Sequence, residues 1–145
     1  MQDAHAMLNQ RLVSIFHHIL HMEERSLREP GISLREIHVI EAVCQAPDPR
    51  MTALAQALHI TAGSLSVAVT TLERKGYLLR EQAIDDRRVI YVRPTEKALR
   101  VYEKHRAFHW KMAEAAMGFL DENQLAILME ALTGIDQYVV SQREA

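Results

Sequence analysis

Residues 83–95 read AIDDRRVIYVRPT, and the chemistry they offer is that of a charged finger. Asp85, Asp86, Arg87 and Arg88 stand side by side at a bend between two runs, YLLREQ and RVIYVR, that read as β-strands. An arginine on such a finger is drawn to phosphates and to the negative potential of a narrow minor groove. Asp86 is expected to hold Arg88 by a charge-assisted hydrogen bond, so that the finger is stiff before it binds. Alone, the segment reads equally well as a solvated turn with incidental ion pairs. The stretch before it tips the balance. Wound as a helix of about 3.6 residues per turn, AGSLSVAVTTLERKG gathers Leu65, Ala68, Val69 and Leu72 on one side. The other side carries Gly63, Ser66, Val67, Thr70 and Arg74. A plain solvent face would be filled with lysine and glutamate. Small polar residues instead let a backbone approach closely, as insertion into a major groove requires. Ser64 and Thr71, at the flank, suit phosphate contacts.

The chain carries a net charge of −2, which by itself points to no nucleic-acid partner. Locally the balance reverses: Arg74, Lys75, Arg80, Arg87, Arg88 and Arg93 face Glu73, Glu81, Asp85 and Asp86. A second set of polar residues sits where apolar ones belong. On helical wheels Glu23 falls within the stripe of Leu12, Ile15, Phe16 and Ile19, and Glu41 lies with Leu34, Ile37 and Cys44. His38 is at the edge of that second stripe, and His105 and His109, four apart, sit beside Val101, Tyr102, Met112 and Ala116. Burying such groups is costly unless they are paired. They are therefore expected to meet where the first, second and fifth helices converge. That meeting place admits a packing network, the polar end of a ligand pocket, or a metal site, since histidines at i, i+4 with a glutamate suit zinc.

The elements that would position these residues follow from the punctuation. LNQRLVSIFHHILHMEERSL repeats apolar positions at helical spacing and stops before EPG. Ser33 and Glu36 have capping-box spacing at the head of a second helix that runs to PDP at 47–49. A short helix from Thr52 to Leu58 and the connector HIT lead to Thr61, which caps the fourth helix, and Gly76 stands where a C-terminal cap belongs. After the two strands, Thr95 opens a long fifth helix, and Asp121 with Gln124 caps the last. Two short helices, a tight turn and a β-hairpin make a winged helix-turn-helix. The fold class is mainly α (α+β), with a winged-helix lobe over 33–94 and helical segments 1–30 and 95–145 for dimerisation. Leu125, Leu128, Met129, Leu132, Ile135 and Val139 form one stripe on the last helix, more apolar surface than so small a domain can cover, and such patches mark interfaces. A two-fold dimer on near-palindromic double-stranded DNA is the expected arrangement.

With 145 residues, 48% of them hydrophobic and 25% charged, the chain is read as one globular domain. No apolar run approaches the ~20 residues of a membrane span. No signal-peptide layout opens the chain and Cys44 is the single cysteine, so a cytoplasmic address is expected. H-E-x-x-H, G-x-S-x-G and glycine-rich phosphate loops are all missing, so neither catalysis nor a cofactor is expected. A helical protein-interaction module that ignores DNA is the rival.

The segment MTALAQALHITAGSLSVAVTTLERKGYLLREQAIDDRRVIYVRPTEKAL resembles the MarR-type winged-helix regulators, with their LERKGY strand entry and a wing written DRR before PTEKA. The resemblance implies that Asp86, Arg87 and Arg88 form the wing tip and that the outer helices build an obligate homodimer. Pro94 departs from the leucine usual there and should stiffen the exit of the second strand. LVSIFHHILHMEERSLREPGISLREIHVIEAV and KHRAFHWKM are in turn similar to the FabT-like branch, which represses fatty-acid synthesis genes. That likeness implies an acyl chain, delivered by acyl carrier protein, among Phe16, Leu20, Met22, Tyr102 and Phe108, with Glu23, His38, Glu41, His105 and His109 at its polar end. A zinc-sensing branch of the same family would instead single out Glu24, His38, His105 and His109.

Overall fold

The computed structural model describes residues 2–142. In chain order they form α1 (Gln2–Ser26), α2 (Leu34–Gln45), α3 (Met51–Ala57), α4 (Ala62–Arg74), β1 (Leu78–Gln82), β2 (Ile90–Pro94), α5 (Glu96–Met117) and α6 (Glu122–Ser141). This is the expected order, with α1 beginning six residues earlier than Leu8 because nothing in QDAHAM breaks a helix. Two compact units are present, Met1–Arg106 and Ala107–Ala145.

In the first unit the caps lie where the sequence puts them. The Ser33 hydroxyl accepts from the Glu36 backbone N–H, and the Glu36 carboxylate accepts from the Ser33 backbone N–H at 2.7 Å. Lys75 reaches the same carboxylate at 2.7 Å and so ties the end of α4 to the start of α2. The Glu36 carboxyl is held below its ordinary value. Burial pushes it up, but the hydrogen bonds from Lys75 and Ser33 together outweigh that. Thr61 caps α4 by accepting from Ser64 N at 3.1 Å. His59 makes the tight connection between α3 and α4 in the left-handed region, at φ 53°. Gly76, at φ +79°, turns the chain out of α4 into β1, a conformation that disfavours a side chain.

Ile40, Leu54, Leu65, Val69, Leu72, Leu78, Val92 and Ala98 are fully buried and form the core of the first unit. Leu65, Val69 and Leu72 are the inner stripe of α4, at i, i+4 and i+7. The two strands pair antiparallel from Leu78↔Pro94 to Gln82↔Ile90. Pro94, as the last residue of its strand, leaves the ladder intact. One contact was not legible in the sequence: Val92 N–H donates to Pro49 O at 2.8 Å, and Arg50 bridges to Tyr91. The loop before α3 thus fastens the wing sheet to the helix-turn-helix. Thr95 caps α5 while its hydroxyl lies 2.8 Å from Gly76 O and 3.0 Å from Tyr77 O.

The second unit holds the end of α5, the turn at Gly118–Asp121 and α6. Asp121 and Gln124 form a reciprocal capping box at 2.9 and 3.0 Å. No residue of α6 is buried. Ile127, Met129, Leu132, Tyr138, Val139 and Val140 are exposed, as are Leu12, Ile15 and Phe16 on α1 of the first unit.

Candidate nucleic-acid interface

The outward face of α4 is as the helical wheel requires. Gly63, Ser64, Ser66, Val67, Thr70 and Arg74 are exposed, and Thr71 is half-buried with its hydroxyl donating to Val67 O at 3.1 Å. Val67 leaves 69% of its surface open in the middle of this face, where only a partner would cover it. A cross-brace missed by sequence reasoning comes from β1. Arg80 pairs with Glu73 and donates to the carbonyl and hydroxyl of Ser66 and the hydroxyl of Thr70. A cation seven residues beyond Glu73 in a neighbouring strand was the available signal, but it needed the packing of β1 beside α4 to mean anything.

At the wing tip Asp86 Oδ1 accepts from the Arg88 backbone N–H at 2.9 Å and from Arg88 Nε at 3.1 Å. Asp86 Oδ2 accepts from Nη2 at 3.2 Å, a fork that fixes the guanidinium while its side chain stays 92% exposed. Gln82 Nε2 donates to Arg87 O at 2.6 Å and Val89 N–H to Asp86 O at 2.9 Å, which closes the turn. The Arg88 side chain, and then its backbone N–H, hold the Asp86 carboxyl below its ordinary value. Lys75, Arg80, Arg88 and Arg93 pair with Glu36, Glu73, Asp86 and Glu81, whereas Arg74 and Arg87 pair with no carboxylate among the described residues.

Of the inward-facing polar residues, Glu23, His38, Glu41 and His105 do meet within the first unit. His105, 2% exposed in its side chain, places Nε2 3.2 Å from Glu23 Oε1 and Nδ1 3.3 Å from Glu41 Oε1. His38 Nε2 is 3.8 Å from the same Glu23 oxygen, and its ring packs edge-on to His105 with centroids 5.4 Å apart. The carboxylate that turns inward from α1 is Glu23, not Glu24, which is exposed one residue further round the helix. Leu20 and Tyr102 are half-buried, whereas Phe16 and Met22 are exposed in the single chain. Phe108 and His109, also half-buried, stand in the second unit with their rings in edge contact, centroids 5.1 Å apart.

Comparison with known proteins bears directly on this face. A family model described as "MarR family" matches residues 31–89, from the end of the α1–α2 loop through the wing. The crystal structure of Streptococcus pneumoniae FabT in complex with DNA superposes with a TM-score of 0.87 at 31% identity, covering 95% of this chain and 99% of that one. The chain belongs to the MarR family. The MarR-family regulator AbsC of Streptomyces coelicolor shares the fold at a TM-score of 0.76 and 21% identity, covering 97% of each chain. The HTH-type transcriptional regulator YhjH of Bacillus subtilis is 27% identical over 90 residues, which are 62% of this chain and 51% of YhjH. The MarR assignment makes the protein a DNA-binding transcriptional regulator and not an enzyme. Both α4 and the turn at Asp86–Arg88 fall within the matched segment. The match to FabT also runs through α1, α5 and α6, outside the segment that the family model covers.

Proposed function

We propose that the protein is a homodimeric repressor that binds a near-palindromic operator at fatty-acid synthesis genes and responds to an acyl chain. The observation that carries this reading is likeness along the whole chain, at 31% identity, to a FabT solved on DNA. Ser66, Val67 and Thr70 read the major groove, Gly63 allows close approach, Ser64, Thr71 and Arg74 hold phosphates, and Asp86, Arg87 and Arg88 carry the wing. The segment 33–94 is the DNA-binding lobe. Segments 1–30 and 95–145 form the dimerisation lobe, whose exposed apolar faces on α1 and α6 a second copy would cover. Phe16, Leu20 and Tyr102 take the acyl chain, delivered by acyl carrier protein, and Glu23, His38, Glu41 and His105 form the polar end. The whole cycle takes place in the cytoplasm; among the described residues no single helix is long and apolar enough to cross a membrane.

A zinc-responsive reading stands beside it on one observation. One ligand atom each from His38, Glu41 and His105 lie within 4.8 Å of one another, a donor set that suits zinc. With Glu24 exposed, Glu41 rather than Glu24 supplies the carboxylate in that reading.

Binding of a fatty-acid-synthesis promoter fragment, measured with and without acyl-acyl carrier protein and then with and without zinc, separates the two. Acyl-dependent tightening supports the first reading. A zinc-dependent change that His105→Ala abolishes supports the second, and specific binding blind to both leaves a regulator without either effector.

A further inference from the structure

Arg80 stands on β1, outside both the reading helix and the wing tip, yet its side chain reaches across α4. Its Nη2 donates to Ser66 O at 2.9 Å, to Ser66 Oγ at 3.3 Å and to Thr70 Oγ1 at 3.1 Å. Nη1 pairs with Glu73, whose other carboxylate oxygen accepts the Arg80 backbone N–H at 2.8 Å. Positions 66, 70 and 73 share one helix face. The fork therefore spans two turns of α4 from the side and is anchored by an ion pair whose side chains are only 25% and 29% exposed.

This brace decides where two protons go. A guanidinium only donates, whereas a hydroxyl has one proton and two lone pairs. Thr70 Oγ1 gives its proton to Ser66 O at 2.8 Å and accepts from Arg80. It has a lone pair left and nothing to donate. Threonine in a helix makes such a back-bond unaided but weakly. Here Arg80 holds both the hydroxyl and the carbonyl, closing a triangle of hydrogen bonds around them. Ser66 Oγ accepts from Arg80, and no acceptor takes its proton among the described residues. Both residues are exposed.

We infer that Arg80 sets the hydrogen-bond polarity of the reading face, fixing Thr70 as an acceptor and leaving Ser66 as the donor. Thr70 then takes a base amino group, adenine N6 or cytosine N4, and Ser66 gives to purine N7, guanine O6 or thymine O4. Arg80 is thus a positioning residue that acts through Ser66 and Thr70, and its role rests on the DNA-reading function proposed above.

The test uses the full chain and duplexes selected by it from a library with a randomised centre. Affinities of wild type, Arg80→Lys and Arg80→Ala are measured for the selected site, its single-base variants and a scrambled duplex across a salt series, with the Tm of each protein. Lysine keeps the charge and can reach Glu73, but it cannot span residues 66 and 70 as a planar fork does. Discrimination at the base pairs under α4 should fall by about tenfold in Arg80→Lys, with the salt slope on scrambled duplex unchanged. Discrimination intact in both variants with a slope lower by about one in Arg80→Ala would make Arg80 a phosphate contact and overturn the inference. Discrimination and slope both intact with only Tm lowered would reduce it to a structural tie, which overturns it as well. A wild type that prefers no selected duplex overturns the DNA-reading function and this inference together, whereas a wild-type preference retained in Arg80→Lys overturns the inference alone.

Discussion

Arg88 projects from the wing with its guanidinium already held, so the proposed contact with DNA would lose little side-chain entropy on binding. Arg88→Ala should weaken binding to every duplex alike and lower the slope of log affinity against log salt by about one per protomer. A salt titration on scrambled and selected duplexes reads both effects. Asp86 supplies the pH limit. Its folded pKa is depressed, so the ordering it contributes is complete above the ordinary aspartate range and is lost as pH falls through the depressed value. The Arg88 Nε–H signal in an NMR titration should therefore keep its position throughout the neutral range. Cys44 illustrates the opposite shift. Burial first, and then Glu103 and Glu41, push its thiol up to about 11. Alkylation of the native protein near pH 8 should run about a hundredfold slower than that of the unfolded chain. Fast labelling of the native thiol would contradict this account of its surroundings. The Asp86–Arg88 pair was legible because its partners are two residues apart across a turn. The role of Arg80 was not, because its acceptors on α4 become neighbours only when β1 packs there.

At the scale of elements, the helix ends were legible because caps are local chemistry. Ser33 with Glu36, Thr61, Asp121 with Gln124 and Gly76 all act within a few residues of themselves. The bridge from Pro49 and Arg50 to β2 joins segments about forty residues apart and leaves no periodic trace in either. The inward turn of Glu23 was legible on a wheel. Its meeting with His105 at 3.2 Å, across 82 residues of sequence, was foreseen only because a buried carboxylate needs a partner. Gly76 carries a sharp prediction. At φ +79° an added methyl meets open space, so Gly76→Ala tests backbone strain and not collision. A cost of about 1 kcal/mol, or roughly 3 °C in Tm, is expected by thermal denaturation. An unchanged Tm would mean that the chain leaves α4 by another path. Ser33→Ala should cost a similar amount, about 1 kcal/mol, through loss of the cap at α2.

For the molecule as a whole, the exposed apolar faces of α1 and α6 are the surfaces that the proposed dimer would cover. Leu132, 46% exposed in the middle of α6, gives the handle. Leu132→Arg should shift the protein from dimer to monomer in sedimentation and reduce operator affinity by more than about tenfold, because two half-sites are no longer read together. A dimer untouched by that change would place the interface elsewhere. The most direct test of the central claim is competition binding of the full chain to a duplex selected from a random library, against a scrambled duplex of equal length. Two chains per duplex and a preference of about a thousandfold or more at physiological salt are expected. Equal affinity for the two duplexes, or binding of neither, would contradict that claim.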